Sequence, residues 1–271
     1  MKKLILALVV MCMLFTMAGC EKNDKEKETT KPTTSDTPGG EEEDTPVVFE
    51  ASFKDGFSHE DFQIANGWSN GGMFDCIWSN KNVLFEDDVM KLIIDEMVEG
   101  KYRGGEYRTN EFFGYGFYEV EMKPIKNVGV VSSFFTYTGP SDGNPWDEID
   151  IEFLGKNTNI VQFNYFTNGV GNHERIHQLG FDASEEFHKY GFLWEEGKIT
   201  WFVDGVAVHT ADKDIPVTPS KIMMNVWPGK NVIAWLGKYD GTTPITAEYK
   251  GIKFTPIEIV DFEALGVEAA E

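Results

Sequence analysis

The sequence predicts an all-β fold, an antiparallel sandwich or barrel of about 200 residues. Three observations lead there. From Val47 onward, short apolar and aromatic runs are broken about every eight to twelve residues by turn signals. Asp204-Gly205 separates Ile199–Val203 from Val206–His209, and Glu196-Gly197 separates Phe192–Trp194 from the first of these, as in tight hairpins. No stretch keeps helical periodicity over three turns, the acidic end after Ile257 being the nearest exception.

The remaining strands follow in order: Lys91–Ile94, Gly116–Met122, Val128–Tyr137, Ile149–Leu154, Ile160–Phe166 and Lys221–Val226. They are rich in β-branched and aromatic residues, which suit a pleated and half-buried surface. A chain of 271 residues, 41% hydrophobic and 14% aromatic, can fill the core such a fold needs.

The first residues are a different object. Lys2 and Lys3 precede an apolar run, Leu4–Met17, which is too short to span a bilayer and has the layout of a secretory signal. It ends in Met17-Ala18-Gly19-Cys20 and looks like a bacterial lipoprotein signal, which implies cleavage after residue 19 and lipidation of Cys20. Residues 20–46 contain no large apolar side chain and cannot bury enough surface to order themselves, so they are read as a lipidated Cys and an acidic Thr/Pro linker. Residues 47–258 form the domain, and 259–271 an acidic C-terminal tail. The expected location is the bacterial cell surface, membrane-anchored through lipid alone, or the medium.

Charge and cysteine usage exclude several classes. Forty-five acids against 24 bases give −21, and loss of Lys2 and Lys3 takes this to −23, which repels nucleic acids and anionic membranes. With Cys12 in the signal and Cys20 acylated, Cys76 is left alone and is read as a buried apolar residue rather than a reactive thiol.

The most informative segment is Trp146-Asp-Glu-Ile-Asp-Ile-Glu-Phe-Leu154. Alternation puts Glu148, Asp150 and Glu152 on one strand face and Ile149, Ile151 and Phe153 on the other. Acids are disfavoured in strands, and three in a row raise one another's pKa, so a row like this points to chemistry. Glu148 and Glu152 are about 13 Å apart at Cα, and side chains leaning together bring the carboxyls to about 5–7 Å. That range overlaps the roughly 5–5.5 Å of a retaining glycosidase, in which one carboxylate attacks the sugar and the other protonates the leaving oxygen.

DEIDIEFLG, with FFTYTGP before it and VQFNYFTNGVG, LGFDAS, W-x4-I-x-W-x-VDG and KIMMNVW after it, resembles the bacterial lichenases of glycoside hydrolase family 16 from about Trp68 to Phe254. The resemblance implies a single-domain jelly-roll β-sandwich of the concanavalin A-like lectin/glucanase type, with substrate in a cleft across one sheet. It implies endo-hydrolysis of β-1,4 bonds next to β-1,3 bonds in a neutral mixed-linkage β-glucan, with retention. Glu148 is then the nucleophile, Glu152 the acid/base and Asp150 the assisting carboxylate. Asn70, Phe74, Glu106, Arg108, Phe135, Tyr137, Trp146, Asn164, Asn225, Trp227 and Trp235 fall where lichenases contact glucan. Sugar faces stack on aromatic rings and hydroxyls need polar partners, so these residue types suit the task, and about two thirds of them are expected at the site.

Three departures qualify the resemblance. Lichenases commonly pair the cysteine of the F-D-C segment with one before E-Y-R; that position here is Gly104, so no disulfide is expected. An aspartate of the family's calcium site is Lys250 here, which places calcium in doubt; no cofactor or catalytic metal is expected. Phe166 stands where a Tyr is common. His173-Glu-Arg-Ile-His177 fits H-E-x-x-H, but that zinc motif needs a helix, and flanking glycines with no apolar stripe argue for a strand that keeps the imidazoles apart. His59, His188 and His209 are read as turn or surface residues.

Other classes fit the sequence less well. A non-catalytic glucan-binding lectin on this fold would lose an acid of the row. Plant-type xyloglucan transglycosylases carry a cysteine-rich C-terminal extension that this chain lacks, and β-1,3-glucanases usually have one more residue between the Asp and the second Glu. A monomer is expected.

Overall fold

The computed structural model describes residues 45–270; the signal, Cys20 and the linker through Asp44 lie outside them. The strands are β1 (Phe49–Ser52), β2 (Phe62–Ile64), β3 (Cys76–Trp78), β4 (Val83–Glu86), β5 (Val89–Val98), β6 (Lys101–Gly104), β7 (Glu106–Thr109), β8 (Gly116–Lys123) and β9 (Val130–Thr138). They continue as β10 (Asp147–Leu154), β11 (Ile160–Phe166), β12 (Arg175–Gln178), β13 (His188–Glu195), β14 (Lys198–Val203), β15 (Val206–Ala211), β16 (Lys221–Pro228) and β17 (Ile245–Pro256). Helices are single turns, α1 (Ile233–Leu236) and α2 (Phe262–Leu265) being the α-helical ones.

Two sheets form a sandwich. One is seven-stranded, in the order β12-β11-β10-β9-β16-β7-β2; the other is ten-stranded, along β15-β14-β13-β8-β17-β5-β6-β3, with β1 on β17 and β4 on β5. Every predicted strand is present, most of them longer than the apolar run that revealed them. Hairpin turns at Asp204 and Gly205, both at positive φ, close β14 on β15 as the Asp-Gly signal requires.

The core lies between the sheets. Ile149, Ile151 and Phe153 of β10 meet Phe134 of β9, Phe163 of β11 and Met224 of β16, all at most 1% exposed. The opposite sheet supplies Tyr118, Phe192, Trp201 and Tyr249. Two polar contacts cross the core and pin the central strands: Trp201 Nε1 donates to the Asp150 carbonyl at 3.2 Å and the Tyr249 hydroxyl to the Ser133 carbonyl at 3.1 Å. Buried donors are thereby satisfied while two strands of the seven-stranded sheet are held in place.

Two smaller clusters lie elsewhere. Trp78, Cys76, Leu154, Val131, Trp227 and Leu236 form one, with Phe74 and Trp235 packed on it. The other changes the reading of the C-terminus. Segment 259–271, expected as an acidic tail, is packed over its described length: Val260, Phe262, Leu265 and Val267 cover Phe117, Leu193 and Phe202 of the ten-stranded sheet. Lys198 Nζ donates to the Glu268 carbonyl at 2.7 Å and Ala270 N to Glu195 Oε1 at 2.6 Å.

Candidate active site

The core takes the odd-numbered residues of β10, so the pleat turns Glu148, Asp150 and Glu152 to the outer face of the seven-stranded sheet. Register then sets their neighbours, because residues directly opposite share a face. Glu148 lies between Tyr137 and Phe166, Asp150 between Phe135 and Asn164, and Glu152 between Ser133 and Gln162. The rows continue onto β16 and β7: Ser133 opposite Asn225 and then Glu106, Phe135 opposite Met223 and then Arg108. Nine of the predicted residues, Glu106, Arg108, Phe135, Tyr137, Glu148, Asp150, Glu152, Asn164 and Asn225, are thus neighbours on one surface.

Apolar groups bound this surface at both ends. At one end Trp146 stacks on Phe166, with centroids 4.8 Å apart and planes 13° apart, and donates from Nε1 to Glu148 Oε2 at 2.5 Å. Phe166 therefore serves as a platform for Trp146. At the other end Trp227 lies 4.2 Å from Phe74 and 6.0 Å from Trp235 by centroid. Trp227 is only 3% exposed, so it is the base of this wall and Phe74 and Trp235 are its accessible parts. The Phe74 loop is latched to the end of β16 by Asp75 N to the Pro228 carbonyl (2.8 Å) and Lys230 N to the Met73 carbonyl (2.9 Å). Asn70 is exposed, its side-chain oxygen accepting from Trp78 Nε1 at 2.9 Å.

The three acids differ in their partners. Burial pushes all three carboxyls above the usual range. Glu148 accepts from Trp146 and from Asp150, and both bonds favour its carboxylate. Asp150 is pushed well up by burial and by the charges of the two glutamates, which keeps its proton available for that bond. Glu152 is raised by burial and then by the Glu148 charge, against one opposing donor, Gln162 Nε2 at 2.8 Å. The arrangement favours an ionised Glu148 beside a protonated Glu152.

Further along the row, Glu106 is 2% exposed and burial raises its carboxyl to about 7, with Arg108 and Asn225 Nδ2 (3.3 Å) opposing. Asn225 Oδ1 in turn accepts from the Ser133 hydroxyl at 2.7 Å.

Sequence reasoning missed several residues on this face. Gln162 bridges Glu152 and Trp235, accepting from Trp235 Nε1 at 3.1 Å; its place two residues before Asn164 in VQFNYF was the available signal. Ser133 joins through register alone. Trp68, 40% exposed, lies under the Arg108 guanidinium at 5.3 Å, and nothing local in the sequence marks it. The H-E-x-x-H segment is not helical: His173 stacks on Tyr165 and its Nδ1 pairs with the Tyr165 carbonyl, whereas His177 is in β12. No cluster of three or more metal-binding side chains occurs among the described residues.

Comparison with known proteins follows the same lines. Residues 70–249 match the model of glycosyl hydrolases family 16. The chain is 59% identical over 191 residues to a beta-glucanase of Acetivibrio thermocellus, a match covering 70% of this chain and 57% of that enzyme's own length. The solved beta-glucanase of Bacillus licheniformis superposes with a TM-score of 0.76 at 52% identity, covering 78% of this chain and 99% of that one. A prokaryotic beta-1,3-1,4-glucanase (lichenase) from a mouse hindgut metagenome gives a TM-score of 0.76 at 53% identity, covering 78% of this chain and all of that one. The jelly-roll sandwich is the fold of these beta-glucanases, and the chain belongs to glycosyl hydrolases family 16.

Proposed function

We propose that this protein is a retaining endo-glucanase that cuts β-1,4 bonds next to β-1,3 bonds in mixed-linkage β-glucan. The carrying observation is the unequal support of two glutamates on one strand face. Glu148, held as a carboxylate by Trp146 and Asp150, attacks the anomeric carbon as Glu152 gives its proton to the departing glycosidic oxygen. Glu152, now ionised, then takes a proton from the water that attacks the same carbon, and Glu148 leaves as a carboxylate with the Asp150 hydrogen bond restored. Two inversions give net retention.

The named relatives support the substrate. Asn70, Phe74, Glu106, Arg108, Phe135, Tyr137, Asn225 and Trp235 supply the polar groups and ring faces that a neutral glucan needs, with Trp227 behind them. Product analysis on barley glucan, laminarin, carboxymethylcellulose and xyloglucan tests the assignment. Oligosaccharides from barley glucan alone, first released as the β-anomer, are expected; preferential cleavage of laminarin, or release of the α-anomer, would overturn it.

Calcium is not needed in this reading. Lys250 Nζ lies 2.6 Å from Glu121 Oε1 and over the Phe187 ring at 4.4 Å, so an ammonium already supplies positive charge at that position. Activity and Tm unchanged by a chelator are expected. The signal features support export and anchoring through Cys20; metabolic palmitate labelling that disappears in Cys20→Ala tests the anchor.

A further inference from the structure

On the outer face of the seven-stranded sheet, β10 divides the surface unequally: β9, β16, β7 and β2 lie on one side, β11 and β12 on the other. The larger side carries fixed, buried groups, Ser133, Asn225, Glu106 and Phe135, all under 8% exposed. Double displacement holds one half of the substrate covalently on Glu148 while the other half departs, so the half that stays needs the stronger and more rigid contacts. The half that leaves then lies over β11 and β12.

The edge strand β12 faces both ways. Arg175 and His177 stand opposite Phe163 and Val161 and so turn toward the core side. Ile176, between them, stands opposite Gln162, the residue bonded to Glu152. It shares the outer face and is 44% exposed. Glu174, one residue before β12, has the same parity, is exposed, and lies near enough for its charge to add to the burial that raises Glu152.

We propose that Ile176 and Glu174 form the subsite for the departing glucan segment and set the enzyme's preference for a sugar leaving group. Ile176 offers an apolar surface to the face of the first departing glucosyl unit, and the Glu174 carboxylate accepts from its hydroxyls. Glu174 also helps keep the proton on Glu152 until the glycosidic oxygen arrives. This rests on the retaining glucanase reading above.

The test compares kcat/KM on barley glucan with that on a gluco-oligosaccharide bearing 4-methylumbelliferone, whose departure depends little on a proton from Glu152. Ile176→Ser is expected to lower the ratio of the two values about tenfold, and Ile176→Leu to restore most of it. Glu174→Gln is expected to lower the same ratio and to move the alkaline limb of the glucan pH profile to lower pH, because a negative neighbour of the acid has been removed. Equal losses on both substrates, or a ratio left unchanged by Ile176→Ser and Glu174→Gln, would overturn the subsite. Wild-type protein that cleaves neither substrate would overturn the underlying glucanase reading instead.

Discussion

Two glutamates of the same strand face are given different surroundings by their neighbours. Glu148 accepts from two donors and Glu152 from one, which favours the carboxylate form of Glu148 over that of Glu152. Glu148→Ala is expected to lose about 10⁴-fold or more in kcat, with azide partly rescuing turnover of an aryl glycoside and giving the α-glycosyl azide. A β-azide or retained activity would contradict the assignment. Glu106 permits a stability test. Its folded carboxyl is near 7 against an ordinary 4.5, so the folded state prefers the protonated form; that favourable contribution is complete below pH 4.5 and is lost as pH rises through 7. Glu106→Gln removes this dependence, and its stability relative to wild type should rise by about 3 kcal/mol between pH 4 and pH 8 in denaturant titrations. The acids were legible because alternation alone fixes their common face. Trp68 and Ser133 were not, since only contacts between distant segments bring them to it.

Nine of the seventeen strands among the described residues were readable as apolar runs bounded by turn signals; β17, whose run is interrupted at Lys250-Gly251, and short strands such as β2 and β3 were not, and pairing extends others beyond the run, as at Asp147 and Pro228. The decoy His173–His177 shows the element scale deciding chemistry: His177 lies in β12 and His173 precedes it, so no helical turn brings the two imidazoles to one ion and the zinc motif cannot close. Cys76 and Gly104 sit on the paired strands β3 and β6, and a Cβ at Gly104 would lie 3.0 Å from Cys76 Sγ but 2.5 Å from the Val226 carbonyl oxygen. Gly104→Cys is therefore expected to form the bridge common in lichenases. Closing this loop contributes about 3 kcal/mol, reduced by the shift Val226 must make. Calorimetry should show the oxidised variant melting about 5 °C above its reduced form. Equal melting temperatures with both thiols free would show that the carbonyl does not yield.

At the scale of the molecule, the sheet order could not be read from the sequence. β16 inserts between β9 and β7, and β17 between β8 and β5, pairings that join residues 84 to 159 positions apart in the chain. The C-terminus was illegible for a related reason: its acids suggest solvation, while Val260, Phe262, Leu265 and Val267 among them match a patch on the opposite side of the sandwich from the row of acids on β10. The ten-stranded sheet leaves Phe117, Leu193 and Phe202 uncovered unless this segment closes over them. Ending the chain at Ile259 should remove about 3–5 kcal/mol of apolar burial, lowering Tm by about 10 °C. Because the covered patch is on the outer face of the other sheet, kcat/KM on barley glucan at low temperature should hold while the half-life on heating falls. If the truncated chain melts like the full one, the segment contributes nothing to the sandwich; if kcat/KM falls at low temperature, the two outer faces are coupled through the core.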